Sequence, residues 1–224
     1  TWSGRVDTVI VTNEQQIDIP AWVADFESFR RWLESEEFPE HGKVCFIHGK
    51  VWVDLSMEEF LSHNMLRTEI GRVLANLMKE TKFGHFASEG MRYVHPETEL
   101  STEPDGMDIS HAALRDGRVQ LVGGKKGDQT QVVGSPDILI EVVSRSSEVK
   151  DSEWAMSAYF DAGIAEYWVI DGRDEDDLRF DIYKRSKKEF TATRKQGGWV
   201  RSAVLERAFR LVLAGGERPE FTLE

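Results

Sequence analysis

The chain has 224 residues, of which 40% are hydrophobic and 30% charged, a composition typical of a globular protein and unlike that of a disordered one. Its 40 acidic residues outnumber its 28 basic ones and give a formal net charge of −12. This charge argues against a protein that holds nucleic acid by a uniformly positive surface. A divalent-metal site remains possible, because carboxylates are ligands of such metals. A single cysteine, Cys45, excludes an intrachain disulfide and a cysteine-rich zinc site.

No segment has the ~20 consecutive apolar residues that a membrane-spanning helix needs. The first residues, TWSGRVDTVI, lack the basic and apolar stretches of a signal peptide, so we expect a cytoplasmic protein. No linker rich in Pro, Gly or Ser divides the chain. We therefore expect an N-terminal extension over residues 1–20 and a single domain over residues 21–224.

The first half of the chain predicts two helices and a hairpin. Apolar residues at helical spacing predict a short amphipathic helix over 25–34, and β-rich runs on either side of His48-Gly49 predict a β-hairpin. Ser56 and Glu59 have the spacing of a capping box at the start of a longer helical segment. The apolar face of that segment is formed by Leu66, Ile70, Val73, Leu74 and Leu77.

The second half predicts mainly strands, first at 85–87, 91–95, 108–111 and 118–122. The run ILIEVV at 138–143 has five aliphatic residues out of six and predicts a central strand buried on both faces. A helix over 151–162, ending at Gly163, and a strand over 166–171 complete a β–α–β unit. With hairpins expected between about 178 and 213, the predicted fold is an α/β or α+β domain with a mixed sheet.

Glu141 interrupts the central strand and is the sharpest functional signal in the sequence. A carboxylate among aliphatic residues is desolvated, so it needs a positive partner, a metal ion or a proton. Asp137 precedes it by four residues on the same face, but at ~3.3 Å per residue the two are ~13 Å apart, too far to share one ion. A strand-end glutamate that reaches solvent or a structural arginine is the alternative interpretation.

The segment Glu103-Pro104-Asp105-Gly106 offers a second carboxylate. A Pro-Asp-Gly turn before a strand can aim Asp105 at the end of a neighbouring strand, although the same sequence is also an ordinary turn, and Asp108 is a nearby alternative. Two carboxylates on adjacent strands can hold Mg²⁺ or Mn²⁺, which activates water and stabilises charge at a phosphodiester. Asp105 and Glu141 are therefore the predicted metal ligands.

The segment SPDILIEVVS at 135–144, followed by Ser146-Ser147, resembles the signature of the Uma2 family, which consists of restriction-endonuclease-like proteins of the PD-(D/E)XK nuclease superfamily. The likeness covers about residues 40 to 190. It continues through Lys150-Asp151, Tyr159, 162–164 and 166–171, and upstream the family's first acidic motif is similar to 101–106.

The resemblance implies a restriction-endonuclease-like mixed sheet flanked by helices, and a DNA endonuclease in which Asp105 and Glu141 bind Mg²⁺ or Mn²⁺. The lysine of the superfamily pattern falls at Val143, and the lysine that many family members carry in the next helix falls at Trp154 or Ala155. Lys150 is then the remaining candidate for a third catalytic residue, with a surface lysine beside the helix start as the alternative.

Loss of that lysine would lower catalysis by orders of magnitude. A catalytically impaired protein that uses the nuclease fold for binding or assembly is therefore the alternative function.

Three further residues are weaker candidates for the site: Asp137, His63 and Glu69. His63 occupies a frequent family position, and Glu69 could approach the metal from the long helix, although an exposed helix glutamate is the ordinary interpretation. Tyr159 is expected in the core.

Two features suggest partners. Residues 184–195 carry six basic side chains against one acidic side chain, a hairpin that could follow a DNA backbone or simply face solvent. Seven tryptophans and a β-rich C-terminal region offer edge strands and aromatic surface that a homodimer could cover.

Overall fold

The computed structural model describes residues 17–39, 41–56, 59–123, 129–144, 154–174, 176–215 and 220–224. The α-helices are α1 (Phe26–Leu33), α2 (Leu66–Thr81), α3 (His111–Arg115) and α4 (Ala155–Asp161). The strands are β1 (Lys43–Ile47), β2 (Lys50–Asp54), β3 (Gly84–Ser88), β4 (Arg92–His95), β5 (Leu100–Thr102), β6 (Gly106–Ser110), β7 (Val119–Gly123), β8 (Gln129–Gly134), β9 (Ile138–Val142), β10 (Glu166–Asp171), β11 (Arg179–Arg185), β12 (Phe190–Ala192), β13 (Val200–Arg201), β14 (Ala208–Phe209), β15 (Leu211–Ala214) and β16 (Glu220–Leu223).

Two six-stranded sheets form the frame of the fold. The first has the order β2-β1-β5-β4-β8-β7 and the second the order β12-β11-β10-β9-β6-β3. Most neighbours are antiparallel, but β4 runs parallel to β8 and β9 runs parallel to β10, so both sheets are mixed. This arrangement confirms the predicted α+β class with mixed sheets. Within the described residues, no helix combines the length and the apolar character needed to cross a membrane.

The central strand β9 is buried on both faces, as its sequence predicts. Ile138, Ile140 and Val142 pack into an apolar cluster beneath α2, whereas Leu139 packs into a second cluster beside α4. Each fully buried aliphatic side chain contributes roughly 1.5–3 kcal/mol of transfer free energy. The parallel pairing of β9 with β10 across α4 also confirms the predicted β–α–β unit.

The predicted N-terminal helix and hairpin are also confirmed. Asp25 caps α1, because its carboxylate accepts a hydrogen bond of 2.7 Å from the backbone N–H of Ser28. The hairpin of β1 and β2 turns at His48 and Gly49, whose φ values of 49° and 73° are those of a two-residue turn that follows the twist of the strands.

Two local predictions differ from the structure, and a third is only partly covered by the described residues. The capping box at Ser56 and Glu59 is wrong, because a π-helical segment, Phe60–Met65, precedes α2 and Glu59 makes no side-chain cap hydrogen bond. The strand predicted over 108–111 begins at Gly106 and ends at Ser110, whose hydroxyl caps α3 by accepting from the Ala113 N–H. The helix predicted over 151–162 is described from Ala155 onward, since 151–153 lie outside the described residues.

Two of the short connections between the sheets bring distant segments together. Residues 103–105 lead from β5 in the first sheet to β6 in the second, and 89–91 lead from β3 in the second sheet to β4 in the first. The antiparallel register of β1 with β5 pairs Phe46 with Ser101, so Lys43 at the start of β1 lies next to the first connection. The candidate site lies where these connections meet.

Candidate active site

Asp105 directly precedes strand β6, and Glu141 lies on the adjacent strand β9. Strand β6 pairs antiparallel with β9, with Gly106 opposite Ile140, and continuing this register by one residue brings Asp105 opposite Glu141. The Oδ2 atom of Asp105 accepts a hydrogen bond of 2.8 Å from the backbone N–H of Val142. The strand pairing thus brings together the two carboxylates that the sequence predicts as metal ligands.

Gly106 is required here for space. A Cβ atom at this position would lie 2.9 Å from the Phe86 ring of β3, closer than real Cβ contacts allow. A larger residue would displace either the Phe86 ring or β6, and a shift of β6 would also move the carboxylate of Asp105. The Pro-Asp-Gly sequence therefore fits a close crossing of strands as well as a turn.

Glu141 is 1% exposed and its carboxylate is held by Tyr159, whose hydroxyl donates a hydrogen bond of 2.6 Å to Oε1. Burial raises the pKa of Tyr159 well above its ordinary value, and the charge of Glu141 raises it further. The phenol therefore stays protonated and remains a donor. Tyr159 lies in the core as predicted, and it also orients the predicted metal ligand.

Lys43 contacts the carboxylate of Asp105 from the first sheet. Its Nζ atom lies 2.8 Å from Asp105 Oδ1 and 2.9 Å from Glu89 Oε1. Burial acts to lower the pKa of Lys43, but the charges of Asp105, Glu89 and Glu141 outweigh burial and hold the pKa above its ordinary value. Lys43 is therefore an ammonium cation at neutral pH.

The helical segment 60–81 brings two further groups to Asp105. His63 Nε2 lies 3.5 Å from Asp105 Oδ2, and Arg67 NH1 lies 3.8 Å from Oδ1 while it also forms an ion pair with Glu89. Burial would raise the pKa of Asp105, but His63 and Lys43 hold it below its ordinary range. Asp105 is therefore ionised, as a metal ligand must be.

Sequence reasoning missed Lys43, Arg67 and Glu89. Arg67 could have been found from His63, because residues four apart share one face of a helix. Lys43 carries no comparable signal, since it lies 62 residues from Asp105 in the chain and meets it through the pairing of β1 with β5. Glu89 follows β3 directly and is likewise brought to the site by the crossing between sheets.

Two of the weaker candidates lie elsewhere. Asp137 is at the start of β9, where it accepts a 2.7 Å hydrogen bond from the Ser110 N–H and pairs with Arg118 at 2.5 Å. Glu69 pairs with Arg72 and accepts a 3.0 Å hydrogen bond from the N–H of Leu223 on β16. At 100° per residue, Glu69 lies on a different face of α2 from Arg67, the face that meets Asp105. His63, by contrast, lies beside Asp105.

The two positions at which the PD-(D/E)XK pattern and its variant predict a lysine hold apolar residues in this chain. Val143 is 5% exposed and Ala155 is fully buried, so neither site offers a cation to Glu141. Lys150, the predicted third catalytic residue, lies outside the described residues.

The carboxylate oxygens of Asp105 and Glu141 are suitable ligands for a hard divalent cation. Mg²⁺ commonly takes one or two protein carboxylates and completes its shell with water and phosphate oxygens. Among the described residues, no group of three or more His, Cys, Asp or Glu side chains could enclose a metal. Asp105 and Glu141 therefore fit a partly hydrated Mg²⁺ or Mn²⁺ better than a closed zinc centre.

A groove of about 380 Å³ leads to Asp105 between α2 and β3. Small residues on α2, Gly71 and Ala75, leave room opposite Phe86 and Ser88 of β3. Arg67 lines the same groove, so a ligand in the groove meets a cation as well as the Asp105 carboxylate.

Comparison with known proteins finds a matching family and a similar fold. The sequence model of a family described as "Uma2: Putative restriction endonuclease" matches residues 26–214. A crystal structure from Anabaena variabilis ATCC 29413, described as "a putative nuclease belonging to DUF820", is similar with a TM-score of 0.56 and 18% identity, over 81% of this chain and 90% of that chain. At this identity the likeness shows the fold. No curated protein matches the chain.

Proposed function

The chain belongs to the Uma2 family of restriction-endonuclease-like proteins, and from that premise we propose that it is a divalent-metal-dependent endonuclease that hydrolyses phosphodiester bonds of DNA. The observation that carries the proposal is the antiparallel register of β6 with β9, whose continuation by one residue places Asp105 opposite Glu141. Both side chains are buried, and Asp105 opens onto the groove between α2 and β3.

The surrounding residues preorganise the two carboxylates. The Val142 N–H fixes Asp105, and the Tyr159 hydroxyl fixes Glu141, so neither carboxylate has to reorient when it binds a cation. Mg²⁺ held by Asp105 and Glu141 would lower the pKa of a bound water and offset negative charge on the phosphate. Lys43 adds a fixed positive charge next to the phosphate position, where charge develops during hydrolysis.

Contact with DNA would depend on local charge, because the net charge of −12 repels a polyanion. Lys184, Lys187 and Lys188 are exposed on the hairpin between β11 and β12 and offer such a local positive surface. Lys195 is partly offset, since its Nζ lies 2.9 Å from Asp181.

Nicking of supercoiled plasmid DNA tests the proposal. With Mg²⁺ or Mn²⁺ the wild-type protein should convert supercoiled DNA to open circles, and Glu141→Gln should lower the rate at least about a hundredfold because a metal ligand is lost. Glu97→Gln is the matched control, since Glu97 is an exposed glutamate on the 3₁₀ turn before β5. Thermal unfolding of each variant verifies folding. Equal nicking by wild type and Glu141→Gln would assign the activity to a contaminant and overturn the proposal.

The apolar residues Val143 and Ala155 at the lysine positions favour one alternative, a nuclease-fold protein that binds or assembles without catalysis. Such a protein would bind DNA but leave the plasmid supercoiled at every concentration of Mg²⁺ and Mn²⁺.

A further inference from the structure

We propose that Lys43 and Arg67 form a binding site for a phosphodiester group of nucleic acid, and that the Glu89 carboxylate occupies the anion position of this site in the free protein. The inference rests on the proposed function, because it names the substrate group that the same site takes and the internal group that competes with it.

Glu89 is held by two cations at once. Lys43 Nζ lies 2.9 Å from Glu89 Oε1, and Arg67 NH1 pairs with Glu89 Oε2. One oxygen therefore faces an ammonium and the other a guanidinium. Two oxygens of a phosphodiester present the same pattern, and arginine and lysine are the side chains that most often bind it.

The charge of the site allows a phosphodiester to replace the Glu89 carboxylate. Three carboxylates, those of Asp105, Glu89 and Glu141, surround the cations Lys43 and Arg67. A phosphodiester carries one negative charge, as does the Glu89 carboxylate, so replacement of one by the other leaves the charge balance unchanged. The two cations keep a partner in both states, and neither state has an unpaired buried charge.

Glu89 is also the carboxylate of the site that can leave. Its side chain is 28% exposed, compared with 3% for Asp105. Glu89 lies in the connection between β3 and β4, next to Gly90, whose φ of 92° belongs to a turn. Asp105, in contrast, is tied to β9 through the Val142 N–H. The turn can swing Glu89 outward while Asp105 stays in place.

The groove between α2 and β3 provides the route of entry. Arg67, Ser88 and Asp105 all line it. A phosphate that replaces Glu89 at Arg67 and Lys43 is then adjacent to Asp105, whose Oδ1 lies 2.8 Å from Lys43. In this arrangement Lys43 supplies from β1 the positive charge that Val143 and Ala155 cannot supply.

Binding measured in EDTA, without divalent metal and therefore without cleavage, tests the inference. Calorimetric titration with inorganic phosphate and anisotropy titration with a short fluorescein-labelled DNA duplex compare wild type with Glu89→Gln. Removing the competing carboxylate should tighten both affinities about tenfold. Glu97→Gln removes the same charge from an exposed position in the 3₁₀ turn before β5 and should change them by no more than about twofold.

The cations supply the reciprocal test. Arg67→Met and Lys43→Met should each weaken both affinities about tenfold. Because the Lys43 side chain is only 22% exposed, Lys43→Met is compared only if thermal unfolding shows a folded protein, and Arg67→Met supplies the result if it does not.

Affinities for Glu89→Gln no tighter than those for Glu97→Gln would overturn the inference, and so would a gain for inorganic phosphate without a gain for DNA. Either result would leave nicking that depends on Glu141 intact. Conversely, a protein that binds as described but never nicks DNA would contradict the proposed function alone.

Discussion

Asp105 and Asp108 are three residues apart in one segment, yet the structure gives them opposite properties. Asp105 contacts Lys43 and His63, which hold its pKa low. Asp108 is fully buried on β6, and neither of its carboxylate oxygens has a hydrogen-bond partner among the described residues. Burial, followed by the charges of Asp137 and Glu166, raises the pKa of Asp108 well above its ordinary value. This environment favours the protonated form of Asp108, which does not suit a metal ligand.

Asp108 should make the stability of the protein depend on pH. The folded protein retains a proton on Asp108 that the unfolded chain, with a pKa of about 3.9, has released, so the free energy of unfolding falls as pH rises above that value. The slope from this group is at most about 1.4 kcal/mol per pH unit. Urea unfolding should show that the free energy of unfolding falls less between about pH 5 and about pH 8 for Asp108→Asn than for wild type. The same loss in both proteins would contradict the prediction.

Whether Asp105 or Asp108 faces cations could not be predicted from the sequence. Both follow Pro104 in a strand-entry segment, and alternation alone does not tell which carboxylate meets Lys43. The burial of Glu141 could be predicted, because five aliphatic neighbours leave a strand residue little access to water.

At the scale of elements, Glu166 at the start of β10 ties the C-terminal segment to the second sheet. Its buried carboxylate accepts hydrogen bonds from the Ser202 hydroxyl at 2.7 Å and from the backbone N–H groups of Ala203 and Val204. The indole N–H of Trp168 donates a further bond of 3.0 Å. Glu166 belongs to the segment that resembles the family signature, and its contacts assign it a structural part in this chain.

Replacing Glu166 should destabilise the fold. Glu166→Ala leaves several buried donors without an acceptor, so the free energy of unfolding should fall by about 3 kcal/mol or more. Glu189→Ala, at an exposed position between β11 and β12, is the control and should change it by less than about 0.5 kcal/mol. Urea unfolding measures both. A loss for Glu166→Ala as small as that of the control would show that these hydrogen bonds do not stabilise the protein.

Elements with a strong local pattern could be predicted, and elements that depend on their neighbours could not. Strand β9 is a continuous aliphatic run, and the β1–β2 hairpin has Gly49 at its turn. Strand β5 has three residues and β8 begins with Gln129-Thr130-Gln131, so neither shows apolar alternation. β5 pairs with the distant strand β1, and β8 pairs with the distant strand β4, so tertiary contacts make both of them strands.

At the scale of the whole molecule, the site is assembled from both sheets and α2. The sequence offers Asp105 in a turn and Glu141 in a buried strand as candidate ligands, with Asp108 as the alternative to Asp105. Lys43, Arg67 and Glu89 come from β1, α2 and the β3–β4 connection, and only the crossing between the sheets brings them together. Some of the acidic residues behind the net charge of −12 are therefore paired with cations in the site, as Asp105 is with Lys43. The homodimer stays a prediction, which sedimentation at micromolar concentration would test.

Calorimetric titration with Mn²⁺ tests most directly whether Asp105 and Glu141 are metal ligands. The wild-type protein should bind Mn²⁺ at a single site in the millimolar range or tighter, and Asp105→Asn and Glu141→Gln should each weaken binding at least about tenfold. Glu69→Gln is the control, because Glu69 pairs with Arg72 on another face of α2, and it should bind as wild type does. Absence of Mn²⁺ binding by the wild-type protein, or equal binding by all four folded proteins, would contradict the assignment.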